Sequence, residues 1–324
     1  MRLCLLGCGR VAETHSRTLR RMQAGIRCAY ASRSIEKARA LNRKYGGDAA
    51  FGSYEEAIAS PSVDVVAVLT PPSSHLEWTL AAIRAGKDVI VEKPPVLRSA
   101  DFDAIEQACR TTGRHVYVAE NYYYKPLLSR LRQILSAGTI GEPLFIHLNA
   151  VKRQKTDQWR DDAALAGGGA LFEGGIHWVN FAGALGFTIR SVRAAGPGRP
   201  GGPERSMALL IDYAEGPVGL LSYSWEVASP LKGIRISRIY GREGSIAFES
   251  NGLFLATSGR HWRVLSPGLR DIQGYKGMFA DFLRAWRLGE EAQMTLARAR
   301  RDVEVVEEAY RSAGLLSGPE RASA

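Results

Sequence analysis

In the stretch "FEGGIHWVN" a glutamate, a histidine and an asparagine stand at positions 173, 177 and 180, directly after the run "AGGGAL". On a helix the spacing i, i+4, i+7 keeps residues on one face, so Glu173, His177 and Asn180 would point the same way. A carboxylate beside an imidazole orients the ring, and the oriented ring can move a proton. The competing reading is a buried apolar helix that happens to carry a histidine. Lys93, in "VEKPPV", is a second candidate. Lysine is ordinarily a surface residue, but this one follows the apolar run "DVIV" and precedes two prolines. It stands at the C-terminal end of a strand, the edge where open α/β sheets collect ligands.

The third pattern is "GCGRVA" at 7–12, spanning Gly7, Gly9, Arg10 and Val11. Glycine at 7 permits a tight turn, glycine at 9 lets the backbone approach a pyrophosphate, and Ala12 allows close helix–strand packing. The motif falls between a strand and a helix inside a βαβ unit, which is the context it needs. Sites that prefer NAD commonly carry an acid at the end of the second strand. Here "ASRSIEKA" puts Ser32, Arg33 and Ser34 there. A guanidinium and hydroxyls suit the 2′-phosphate of NADP(H), which is therefore favoured, with NAD(H) possible. Ser34 also reads as the N-cap of the next helix.

The elements that must position these residues change character along the chain. Apolar runs "LCLLG", "IRCAYAS", "VDVVAVLT", "KDVIVEK" and "HVYVAE" alternate with helical patterns such as "SIEKARALNRKYG" and "SSHLEWTLAAIRAG". That rhythm predicts a doubly wound parallel sheet, a Rossmann domain over residues 1–121 of an α/β protein. From about residue 140, segments such as "EPLFIHLNAVK", "SMALLIDYA", "VGLLSYSWEV" and "GIRISRIYG" are separated by turn residues. They predict an antiparallel sheet in a second domain, 122–324, with the turn-rich "AGPGRPGGPE" at 195–204. Two helices, "GYKGMFADFLRAWRLG" and "TLARARRDVEVVEEAYRSA", and a fraying tail close the chain. At the junction, "ENYYYKP" offers Asn121, Tyr123 and Lys125 either to a substrate or to hinge packing. "DQWRDD" at 157–162 reads as a flap whose Trp159 covers the nicotinamide or simply packs.

A chain of 324 residues, 45% hydrophobic and 23% charged, has the length of two globular domains. It contains no run of about 18 apolar residues, so no membrane span is expected. The start "MRLCLLGCG" enters a strand without a cleavage site, which predicts a cytoplasmic protein. The net charge of +10 raises nucleic acid as a partner. Its densest basic places, "RTLRR" at 17–21 and "ARARR" at 297–301, fit solvated helix faces without interleaved aromatics, so no nucleic acid is expected. The excess charge instead suits a phosphate-bearing cofactor. Cys4, Cys8, Cys28 and Cys109 have neither metal spacing nor a disulfide framework, so free thiols and no metal are expected.

Taken in order, "GCGRVA", "TPPSSH" (70–75), "VEKPP", "WR" (159–160) and "GGGALFEGGIHWVN" resemble the Gfo/Idh/MocA family of oxidoreductases, named for glucose–fructose oxidoreductase, inositol dehydrogenase and rhizopine catabolism. The resemblance runs over nearly the whole chain and implies a Rossmann domain followed by an α/β domain with a large open, mainly antiparallel sheet. In relatives that sheet often mediates dimers or tetramers, so a homodimer or homotetramer is expected. The resemblance implies proton transfer by Lys93, assisted by His177, on a polyol or sugar-like substrate that exchanges a hydride with the nicotinamide. It places Thr70, Pro71, His75 and Glu92 along the cofactor, and Arg160 close to nicotinamide or substrate. Where the family usually has aspartates four residues before the histidine and three after it, this chain has Glu173 and Asn180. Two rivals stay open: a relative that uses bound NAD transiently in glycoside cleavage, and a non-catalytic dinucleotide sensor.

Overall fold

The computed structural model describes residues 1–324 except 24, 157–159, 161, 198–202, 229–232, 260–261 and 316–324. The first elements are β1 (Arg2–Leu6), α1 (Arg10–Met22), β2 (Arg27–Ala31), α2 (Ile35–Tyr45), β3 (Ala49–Phe51) and α3 (Tyr54–Ala59). Then come β4 (Val65–Val68), α4 (His75–Arg84), β5 (Asp88–Glu92), α5 (Phe102–Thr112) and β6 (Val116–Ala119). The chain continues through α6 (Pro126–Ser136), β7 (Pro143–Val151), α7 (Ala163–Ala166), a π-helical turn at Leu171–Gly175 and α8 (Ile176–Gly183). Strands β8 (Ile189–Ala195), β9 (Ser206–Tyr213), β10 (Val218–Ser224), β11 (Ile236–Gly241), β12 (Ser245–Glu249), β13 (Leu255–Ser258) and β14 (Arg263–Leu265) follow. Helices α9 (Tyr275–Leu288) and α10 (Leu296–Ser312) come last.

The chain divides into two compact units, Met1–Glu120 with Tyr275–Arg300, and Asn121–Gly274 with Arg301–Ala324. In the first, a six-stranded sheet has the order β3-β2-β1-β4-β5-β6, and its pairs are parallel. Its central strands are buried on both faces, as in "VVAV" of β4, which is why they read as continuous apolar runs. The segment Tyr275–Arg300, which sequence order places with the second domain, belongs to this unit. Its helix α9 has an apolar stripe that finds its cover there. Phe279 meets the ring of His15 edge-on at 5.1 Å, and Phe282 stacks on Tyr117 at 5.5 Å. Each such fully buried aromatic contributes about 1.5–3 kcal/mol over exposure.

In the second unit an eight-stranded sheet has the order β14-β13-β12-β11-β7-β10-β9-β8. Its pairs are antiparallel except β7 with β10. That parallel pair needs a crossover, which the chain from α7 to β9 supplies. The strands alternate buried and exposed residues, so one face is covered and the other is not. Helix α8 lies over the covered face, with Phe181 against Phe248 and the Tyr213 hydroxyl donating to the Ala182 carbonyl at 3.3 Å.

Candidate active site

In the first unit, the candidate residues gather at the C-terminal ends of β1, β2, β4 and β5. Gly7 has φ +102, and a Cβ there would stand 2.9 Å from the Leu69 carbonyl oxygen, so only glycine makes this turn. Gly9 is the N-cap of α1 and offers no side-chain cap, while the space where its Cβ would point is open. Gly9 thus leaves open space beside the N-terminus of α1, where the positive end of the helix dipole fits a pyrophosphate. Arg10 is exposed and Val11 half-buried at the start of α1.

At the end of β2, Ser32 is buried and its hydroxyl accepts from the Ser34 amide at 3.2 Å. Arg33 is exposed. Burial raises the Tyr54 phenol, and the charge and hydrogen bond of Arg33 oppose that rise, so the two side chains stand together. Tyr54 itself is braced edge-on against Trp78 at 5.1 Å. Lys37 on α2 is a cation that sequence reasoning missed. Burial pushes the Cys8 thiol up to about 11 while the Lys37 charge pulls it down, which puts the ammonium near the glycine turn.

The loops after β4 and β5 are held by two buried histidines. His75 has Nδ1 at 2.8 Å from the Pro94 carbonyl oxygen and Nε2 at 2.7 Å from that of Thr70. Both partners are acceptors, so a neutral ring donates to one of them and only an imidazolium donates to both. Burial lowers the ring's pKa, and the two carbonyls and Glu92 work against it. Pro71 lies in the same loop, where its carbonyl oxygen accepts from the Ser74 hydroxyl at 3.0 Å. His15, on the buried face of α1, meets Glu92 Oε1 at 2.7 Å. Glu92 Oε2 accepts from the Lys93 amide at 3.2 Å. The Lys93 side chain itself is half-buried. His15 is thus a further residue of this site; its only signal in the sequence is a polar ring on the buried face of an amphipathic helix.

In the second unit, the stretch from Glu173 to Asn180 is helical but not one α-helix. Its first turn is π, with bonds to i+5, and the α geometry starts at Ile176. The wider turn alters the phase between residues 173 and 177, and the three polar groups meet different partners. Glu173 Oε1 accepts from Arg160 Nε at 3.1 Å. His177, half-buried, stacks on Tyr122 with ring centroids 4.4 Å apart and planes 13° from parallel. Asn180 is buried and donates from Nδ2 to Asp302 of α10 at 2.7 Å. Gly174 and Gly175 are glycine because Tyr223 of β10 lies against them. A Cβ on Gly175 would come within 3.2 Å of that ring, and one on Gly174 would collide with its hydroxyl.

"ENYYYKP" places its residues differently from one another. Asn121 is buried and donates to the Gln273 carbonyl at 2.6 Å. Tyr123 packs under the Arg132 guanidinium at 4.7 Å and against Tyr124. Tyr122, which sequence reasoning passed over, carries His177. The buried Lys125 ammonium sits 4.1 Å from the centroid of the Tyr122 ring, a desolvated cation–π contact of about 2 kcal/mol. Trp159 lies outside the described residues, and Arg160 within them.

Residues 1–120 match the oxidoreductase family described by its NAD-binding Rossmann fold, and residues 128–247 match the GFO/IDH/MocA C-terminal domain. The chain is 25% identical over 286 residues to myo-inositol 2-dehydrogenase of Thermotoga maritima, covering 86% of this chain and 80% of that one. It is 32% identical over 195 residues to dTDP-3,4-didehydro-2,6-dideoxy-alpha-D-glucose 3-reductase of Streptomyces violaceoruber, covering 57% of this chain and 54% of the relative. The chain spans about half the length of the first curated relatives it matches. Among solved structures, levoglucosan dehydrogenase in complex with NADH and levoglucosan superposes with a TM-score of 0.85 at 22% identity, over 97% of each chain.

Proposed function

This chain belongs to the GFO/IDH/MocA oxidoreductase family, and from that premise we propose that it is a nicotinamide-dependent oxidoreductase acting on a CH–OH group of a polyhydroxylated ring. The observation that carries the reading is the end of β5, where a buried histidine holds Glu92 and Glu92 holds the Lys93 amide. A lysine beside these held groups, at a sheet edge that collects ligands, supports a chemical role for its side chain. The residues of the Gly7–Gly9 turn and the start of α1 would hold the pyrophosphate, and the nicotinamide, when bound, supplies the hydride acceptor or donor. Lys93 Nζ takes the proton of the substrate hydroxyl during oxidation and returns it during reduction. In the second unit His177 is the other candidate for proton transfer, and its ring is held flat by Tyr122. Glu173, paired with Arg160, keeps a carboxylate next in line on the same segment.

The two curated relatives described above are named for myo-inositol and for a dTDP-linked dideoxyglucose, which supports a polyhydroxylated ring as the substrate class. Ser32, Arg33 and Lys37 favour NADP(H), through a charge-assisted grip on the 2′-phosphate. Arg33→Ala should weaken NADP(H) by roughly 1.5–3 kcal/mol and leave NAD(H) nearly unchanged. Equal affinity of the parent for both dinucleotides in a titration would overturn that preference. For the assembly, the uncovered face of the second sheet carries an apolar patch. Phe145 pairs with Val218, and Leu210 with Leu220, all substantially exposed. A second copy on that face would cover it. The four free thiols accord with a reducing, cytoplasmic setting, and among the described residues no helix is long and apolar enough to cross a membrane. The functional test is a panel of sugars, cyclitols and their keto derivatives followed by nicotinamide absorbance. Dinucleotide binding without turnover across the panel would sink the enzyme reading.

A further inference from the structure

The glycine run before the π turn is gripped by two side chains that the reading above leaves unused. The Ala170 amide donates to the Glu204 carbonyl at 2.7 Å, and the Leu171 amide donates to the Glu204 carboxylate, also at 2.7 Å. The Gly169 and Phe172 amides both donate to the Tyr310 hydroxyl, each at 3.2 Å. That hydroxyl in turn donates to the same carboxylate oxygen of Glu204 at 2.9 Å. A phenol has one donor and two acceptor sites, and here all three are used. Four successive amides at the start of a helix have no partner within it. Here they are met by a residue just before β9 and by one on α10. The helical ladder then opens with the Glu173 amide donating to the Gly169 carbonyl at 3.0 Å.

The sequence of the run follows from this grip. A Cβ on Gly168 would stand 2.9 Å from the Tyr310 hydroxyl, and one on Gly169 would overlap Glu204. Burial, together with the neighbouring Glu204 charge, holds the Tyr310 phenol well above its ordinary pKa, so it remains a donor at neutral pH. We propose that Glu204 and Tyr310 are positioning residues, capping from outside the helix that bears Glu173 and His177 and thereby setting where the His177 ring stands. The catalytic importance of that placement rests on the reading above. The grip itself does not.

The test reads His177 without any substrate. In protein with labelled histidine, the Tyr122 stack should displace its ring resonance, and His177→Asn would identify it among the six histidines. Tyr310→Phe and Glu204→Ala should move that resonance toward the value of an unstacked ring. Glu204→Gln keeps an acceptor oxygen and should hold it near the parental position. With a turned-over polyol from the panel, kcat per folded molecule should fall roughly tenfold or more in the first two variants, with KM changing much less. Glu204→Gln should restore most of the loss. An unmoved resonance in folded Tyr310→Phe, or a Gln variant as displaced as the Ala variant, overturns the proposal. If Tyr310→Phe does not fold, the two Glu204 variants decide by the same criterion. A moved resonance combined with parental turnover in His177→Asn would strike the functional reading and leave the grip standing.

Discussion

Lys93 and His177 are held in different ways. Lys93 directly follows β5 of a parallel sheet, so its place follows from the sheet itself, and His15 and His75 tie down the residues on either side of it. His177 sits on a helix whose start is irregular, and its amides are satisfied by residues from distant parts of the chain. The first arrangement is rigid by topology; the second depends on a few hydrogen bonds. Disturbing a neighbour should therefore cost more around His177 than replacing the same type of residue around Lys93, whereas removing Lys93 itself should cost most.

Lys93→Met keeps volume and removes the group proposed to transfer the proton. Turnover should fall by roughly a hundredfold or more while dinucleotide affinity and melting temperature hold. Near-parental turnover would make Lys93 structural. His15→Leu removes a hydrogen bond to a carboxylate and should cost about 1.5–3 kcal/mol of stability in chemical denaturation. Turnover per folded molecule should fall less than for Lys93→Met, because the sheet still places the lysine. A loss as large as that of Lys93→Met would show that the sheet edge alone does not position it.

Tyr122→Leu removes the ring under His177 and should weaken its placement by about 0.5–1.5 kcal/mol, read as a several-fold loss of kcat. Unchanged kcat would confine the stack to packing. The smallest effect concerns pH. Burial pushes the Glu204 carboxyl from its ordinary 4.5 up to about 7, against the pull of the Leu171 and Gly169 amides and the facing Tyr310 hydroxyl. A raised pKa means that the folded chain holds this proton more tightly than the unfolded one. Its stabilisation is full below pH 4.5 and lost as pH rises through about 7. The melting temperature of the parent minus that of Glu204→Gln should therefore fall across that window and level off above it. A flat difference would show that the carboxyl is not buried in solution.

What was legible in the chain was local. "GCGRVA" could be read because strand, turn and helix are consecutive, and the jobs of Gly7 and Gly9 are decided by residues a few positions away. The alternation of apolar runs and helices implied the parallel sheet, because burial on both faces leaves its mark on every strand. Lys93 followed, since a strand end is fixed once the strand is. The helix at 173–180 could be read as a helix, but its π turn could not. The Leu171 amide is satisfied by a carboxylate 33 residues on, and the Phe172 amide by a hydroxyl 138 residues on. Nor could the sequence say that Asn180 would bond Asp302, that Tyr122 and not Tyr123 would carry His177, or that α9 would fold back onto the first unit. Periodicity reports which face of an element is apolar. Which surface covers that face, and which distant group meets an unpaired amide, is settled only when the chain closes on itself.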